Sequence, residues 1–140
     1  MNQQQRPVSF GGQSLVHAPS VIKSFVQKIT AGMHLRPERQ SERRAELRYP
    51  LAILVDVQPL DENFAPSGPL FRAVTRDISN SGIGLTHNSP LKSRFFAIQL
   101  WSPEGETFQT LVEVLRSQPA GSIFDIGGRF VTLSNVSRES

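Results

Sequence analysis

Two hydrophobic rhythms divide the chain near residue 49. In the stretch 20–31, SVIKSFVQKITA, the residues Val21, Ile22, Phe25, Val26 and Ile29 recur at helical spacing, with Lys23, Gln27 and Lys28 elsewhere. Ser20 follows Pro19 and suits an N-cap, and Gly32 suits a C-terminal stop. A short amphipathic helix is therefore expected near residues 20–31, its apolar stripe packing on the main domain or on a partner. Residues 1–19 are rich in Gln, Ser, Gly and Pro without a hydrophobic period and are expected to be disordered. Residues 33–48 are polar and Arg-rich and read as a linker or a solvated turn of helix.

After Tyr49-Pro50 the period drops to two. Strands are expected at Leu51–Val57, Leu70–Ile78, Gly82–His87, Phe95–Trp101, Thr107–Arg116 and Ile123–Leu133. Turn clusters separate them, among them Pro66-Ser67-Gly68-Pro69, Asn80-Ser81-Gly82 and Pro119-Ala120-Gly121. Six strands at this spacing with no helices between them predict an all-β domain, a small antiparallel barrel. No helix is expected after the last strand. The resulting division is a flexible basic leader over 1–36, one domain over 37–135 and a tail over 136–140.

Composition narrows the partners. The chain has 140 residues, a formal charge of +3 and no Cys, so a disulfide framework and thiolate metal sites are excluded. No apolar run reaches the roughly 20 residues of a membrane span and the N-terminus lacks a secretory core, so a soluble cytoplasmic protein is expected. Contact of the 20–31 helix with a membrane surface is not expected, because its amphipathicity is modest. The charge is unevenly spread: residues 1–48 carry eight basic and three acidic groups, and residues 49–140 carry seven basic and nine acidic groups. A basic leader suggests an anionic partner, and Arg outnumbers Lys by 12 to 3, which suits planar recognition of phosphate or guanine. Nucleic acid is not the expected partner, since the barrel itself is slightly acidic and the chain has one Trp and one Tyr.

Catalytic signatures are missing from the sequence. His17, His34 and His87 are scattered and unsuited to zinc, and no Gly-x-Ser-x-Gly elbow occurs. Gly82-Ile83-Gly84 opens a strand instead of a helix, which excludes a dinucleotide loop. An enzyme, a metal and a cofactor are accordingly not expected. Arg-x-x-x-Arg spacing occurs at Arg39/Arg43, Arg44/Arg48 and Arg72/Arg76, about what the Arg content alone gives. A second feature selects among these pairs. In Asp77-Ile78-Ser79-Asn80-Ser81-Gly82, Asp77 and Ser79 share one face of a strand end while Ile78 turns into the core. Gly82 stands at the chain reversal, where a positive φ or a close backbone approach favours Gly.

The segment Glu42-Arg43-Arg44-Ala45-Glu46-Leu47-Arg48-Tyr49-Pro50, a following strand, Asp77-x-Ser79-x-x-Gly82 and the late Ile126-Gly127-Gly128-Arg129-Phe130 together resemble the PilZ domain. The resemblance covers about residues 40–133. It implies a PilZ-type six-stranded β-barrel that binds the bacterial second messenger cyclic di-GMP through an RxxxR segment before the barrel and a [D/N]xSxxG segment on it. On that reading Arg44 and Arg48 clamp phosphate and guanine, and Asp77, Ser79 and Gly82 form the barrel side of the site. Arg43, Arg76 and Arg129 are further candidate contacts. The chemistry agrees. Guanidinium groups bind phosphate and the O6/N7 edge of guanine bidentately, and a carboxylate accepts from guanine N1–H and N2–H₂.

The expected function is a bacterial, non-catalytic cyclic di-GMP receptor whose basic loop orders on ligand binding and relays the signal to a downstream protein partner. The alternative is a PilZ-like protein–protein adaptor that does not bind nucleotide. The intact arginines and Asp77 favour the receptor.

Overall fold

The computed structural model describes residues 15–38 and 46–139. Helix α1 (Pro19–Gly32) comes first, followed by strands β1 (Tyr49–Pro50), β2 (Leu54–Leu60), β3 (Phe71–Ile78), β4 (Gly82–His87), β5 (Phe95–Trp101), β6 (Thr107–Ala120) and β7 (Ile123–Phe130), and last helix α2 (Leu133–Glu139). Strands neighbour one another in the order β3, β2, β5, β6, β7, β4, and β4 pairs back onto β3. All pairings are antiparallel, so six strands close into the expected barrel. Closure leaves none of these six strands as a free edge.

The first expected strand, Leu51–Val57, is displaced and divided. Two residues, Tyr49 and Pro50, pair with Ile78 and Asp77, and regular pairing resumes only at Leu54↔Val74. Between them the Thr75 side chain bridges the gap: its hydroxyl donates to the Leu51 carbonyl and accepts from the Ile53 N–H. At the other end the strand runs past Pro59 to Leu60, because Gln58, Pro59 and Leu60 pair with Ala97, Phe96 and Phe95 of β5. Strand β6 likewise runs through the expected Pro119-Ala120 turn, since Ala120 pairs with Ile123 across a two-residue loop whose Gly121 has φ +70°.

Strand β5 is buried on both faces from Phe95 to Ile98, which explains its continuous apolar run. Phe96, Ile98 and Leu100 join Val55, Val57, Leu85, Val112 and Ile126 in the main core. Phe95 and Ala97 belong to a second cluster with Leu60, Leu111 and Val131, covered by Leu15, Val16 and Val136. This second cluster orders residues 15–18, part of the stretch expected to be disordered. The Leu111 N–H donates to the Leu15 carbonyl at 3.0 Å, and His17 bridges to Thr132. Residues 1–14 lie outside the described residues.

Helix α1 packs on the barrel. Its Ile22, Phe25, Val26 and Ile29 are buried in the main core, while Val21, counted in the expected stripe, is exposed. Phe25 stacks on Phe108 at 4.4 Å between centroids. The N-cap differs from expectation. Ala18 is the N-cap with Pro19 in the first turn, so Ser20 is already helical, and the fixed φ of Pro suits that position. At the other end, with Met33 as the C-cap, the last helical residue is the expected Gly32. A Cβ there would sit 2.9 Å from Pro103 Cγ, so glycine permits close approach to the β5–β6 turn.

A helix does follow the last strand, contrary to expectation. Strand β7 ends at Phe130 and α2 begins at Leu133, within the expected strand. Thr132 and Asn135 form a reciprocal cap: the Thr132 N–H donates to Asn135 Oδ1 at 3.1 Å, and the Asn135 N–H donates to Thr132 Oγ1 at 3.4 Å. A Thr-x-x-Asn cap satisfies the first free amides of a helix much as a Thr-x-x-Glu pattern does, and the strand pattern masks it. Val136 then covers the second cluster.

Candidate functional site

The two halves of the site meet because β1 exists. Tyr49 and Pro50 pair with Ile78 and Asp77, and this fixes Arg48, the residue before them, beside the end of β3. Arg48 Nη1 donates to Asp77 Oδ1 at 3.2 Å. The side chain of Asp77 is only 8 % exposed, whereas that of Arg48 is 34 % exposed and so remains open to an anion from solvent.

A β-bulge brings in a third group. Thr75 pairs with Leu85 and Asp77 with Gly84, leaving Arg76 as the extra residue of β3. Bulges re-aim side chains, and here strict alternation no longer sends Arg76 and Asp77 to opposite faces. Arg76 Nε lies 3.4 Å from Asp77 Oδ2. Arg76 also pairs with Asp125, and Arg116 Nη2 lies 3.6 Å from the other Asp125 oxygen. The result is a row of alternating charge, Arg48–Asp77–Arg76–Asp125–Arg116, on the barrel surface.

Arg116 and Asp125 are absent from the residues singled out by sequence. Arg116 follows a second bulge, between Val114 and Arg116, which shifts the phase of β6. Asp125 reaches the site through its register opposite Thr86, a long-range pairing that no local pattern encodes.

Ser79 and Gly82 have local roles. Ser79 is buried, and its hydroxyl accepts from the Ser81 N–H at 3.3 Å and the Gly82 N–H at 3.1 Å. It thereby fixes the turn that follows Asp77. Gly82 does not have a positive φ. A Cβ on it would fall inside 3.0 Å of the Gly128 carbonyl oxygen, so close approach of β4 to β7 is the reason for glycine. Glu46 Oε1 accepts from the Ser81 hydroxyl at 2.5 Å, tying the end of the basic segment to this turn.

Arg129 stands apart from the row. Its Nε donates to Glu113 Oε1 at 2.7 Å and its Nη2 lies 2.6 Å from the same oxygen, while Arg94 Nη2 lies 3.2 Å from Glu113 Oε2. Burial pushes the Glu113 carboxyl pKa up, but the hydrogen bonds and charges of Arg129 and Arg94 outweigh it and hold the group below its ordinary range. Arg43 and Arg44 lie outside the described residues. The segment that carries them is closed at its base by the Glu38 N–H donating to the Arg48 carbonyl at 2.7 Å. Beside it, Pro19, Lys23, Glu46, Asn80, Ser81 and Arg129 line a cleft of ≈ 380 Å³ between α1 and the Asp77–Gly82 turn.

Among the described residues no group of three or more His, Cys, Asp or Glu side chains is placed to hold a metal, and no helix is long and apolar enough to cross a membrane. What the row offers is guanidinium groups and carboxylates on an open surface, which is recognition chemistry for a planar, multiply charged ligand.

No curated protein matches the chain. The sequence model of the PilZ domain matches residues 39–140, including β1 to β7 and the Asp77–Gly82 turn. With the closed six-stranded barrel and a helix before it, that match establishes that the chain belongs to the PilZ domain family, a cyclic di-GMP receptor/effector module family.

Proposed function

We propose that this chain is a bacterial, cytoplasmic, non-catalytic receptor that binds cyclic di-GMP at the surface formed by Arg48, Asp77 and the segment containing Arg43 and Arg44. The observation that carries this reading is the 3.2 Å contact between Arg48 and Asp77, one residue from each half of the family's motif pair. Asp77 is the anionic partner of Arg48. A ligand phosphate displaces it, which frees the carboxylate to accept from the guanine N1–H and N2–H₂ edge. Ser79 and Gly82 hold the turn on which Asp77 stands. Arg44 adds the second guanidinium, and Arg43 and Arg76 supply further positive charge. Arg129, committed to Glu113, is the weakest candidate among them. The partly exposed Arg48, held against a nearly buried Asp77, favours the receptor over an adaptor that does not bind nucleotide.

Calorimetric titration with cyclic di-GMP tests the reading on the native chain and on Arg44→Ala, Arg48→Ala and Asp77→Ala. Each variant should lose one charge-assisted contact, about 1.5–3 kcal/mol, and bind roughly ten- to hundredfold more weakly. No binding by the native chain, or undiminished binding by all three variants, contradicts it.

The same reading includes a relay. Binding of the dianion orders the basic segment ahead of β1, and Glu38, hydrogen-bonded to Arg48, passes the change to α1 and to a downstream protein partner. The cleft shared by α1 and the Asp77–Gly82 turn gives the two elements a common boundary. Amide hydrogen exchange over residues 20–48 should slow when cyclic di-GMP is added. Unchanged protection in both 20–32 and 33–48 rules the relay out.

A further inference from the structure

Resting on the cyclic di-GMP reading, we infer that Arg76 and Arg116 form a stacking platform for a guanine base of the ligand, with Asp125 as the residue that positions both. Neither Arg116 nor Asp125 belongs to the motif pair, and both are supplied by the β6–β7 hairpin.

The platform is built on a glycine floor. Gly84 and Gly127 are direct cross-strand partners, and Gly127 also pairs with Arg116. A Cβ on Gly84 would overlap Arg76 Nη2 and lie 2.7 Å from its Cζ. A Cβ on Gly127 would lie 3.3 Å from Arg116 Nη2, 3.4 Å from its Cζ and 3.8 Å from its Nε. Near-equal distances to three atoms of one guanidinium describe a plane lying across the backbone, not a tip pointing at it. The Arg116 guanidinium thus has one face on the bare peptide of Gly127, whereas Arg76 packs on Gly84 with its Nη1 buried. Asp125 pairs with both, one oxygen to each, and so links the two guanidinium groups.

Arg116 is the more open half of the platform, its side chain 44 % exposed against 32 % for Arg76. Asp77 joins Arg76 to Arg48, so the platform is continuous with the phosphate-binding side of the site. A flat, delocalised cation held parallel to the surface stacks on a purine face, and lysine, a point charge without a plane, does not replace it.

The experiment is calorimetric titration of the full chain with cyclic di-GMP, comparing the native protein with Arg48→Ala, Arg116→Ala and Arg116→Lys at two ionic strengths. Arg116→Ala should weaken binding about 5- to 100-fold, the range of one base stack. Arg116→Lys keeps the charge and the Asp125 partner, so it should fold normally and yet bind within about threefold of Arg116→Ala. Lysine binding as the native arginine does would show that charge alone matters and would overturn the platform. So would native-like affinity of Arg116→Ala. Should Arg116→Ala fail to fold, the lysine variant decides alone, and a loss of less than twofold counts against the inference. A native chain that does not bind at all overturns the cyclic di-GMP reading and the platform together. A native chain that binds and is weakened by Arg48→Ala, but not by either Arg116 variant, overturns the platform only.

Discussion

A chain beginning at residue 37 should lose the cooperative unfolding transition of the full protein. Ile22, Phe25, Val26 and Ile29 of α1 are each at most 7 % exposed and lie in one cluster with the barrel residues Phe96, Ile98 and Leu100. Burying each such side chain is worth about 1.5–3 kcal/mol, and whole domains are stable by only about 5–15 kcal/mol. Removing the helix also uncovers Phe108, the stacking partner of Phe25. Residues 15–18 go with it, opening the second cluster around Leu60 and Phe95. The check is a thermal melt of the 37–140 fragment beside the full chain. Loss of a sharp transition, with increased binding of a hydrophobic dye, is expected. A fragment that melts within a few degrees of the full chain would show that the barrel is stable without its helix.

The second large effect separates two glycines of one strand. Gly82→Val should destabilise the fold by about 3 kcal/mol, the upper part of the usual overpacking range, because the obstructing atom is the Gly128 carbonyl oxygen. Relief requires β4 to move away from β7, whose pairing runs from Gly82↔Arg129 to His87↔Phe124. Gly84→Ala meets a different obstacle, the ends of the Arg76 and Asp77 side chains, which can swing aside. Its stability should change by less than about 1 kcal/mol, while cyclic di-GMP binding should weaken severely because the displaced groups belong to the proposed site. Denaturant unfolding and ligand titration on both variants check this contrast. Equal destabilisation by the two substitutions, or native-like binding by Gly84→Ala, would contradict the assignment.

These two glycines also mark how far the sequence was legible. The strands were readable from period-two alternation, and β4 and β5 carry the expected bounds. The motif pair was readable because both of its halves are local. Legibility ended wherever the phase of a strand changes. Arg76 and Arg116 owe their orientation to bulges, which insert a residue without altering the apolar pattern on either side. Asp125 sits in the site through cross-barrel register, which no window of neighbouring residues contains. The caps failed for a related reason. Pro19 served as a helix start where Ser20 was expected, and the Thr132–Asn135 cap began inside the stretch read as a strand to Leu133. The role of Gly82 was visible only as one of two possibilities, and it is the close approach, not the turn dihedral, that requires glycine.

On the proposed function, the two motif halves form one cyclic di-GMP site through the Arg48–Asp77 contact. The most direct measurement is a residue-resolved NMR titration of the full chain with cyclic di-GMP. The account predicts that the largest saturable amide shifts fall at Arg48, along Arg76 to Gly84 and at Gly127, with the exposed loop around Asp61 unmoved. Saturable shifts confined to residues outside this surface, or no shifts at all at millimolar ligand, would contradict it.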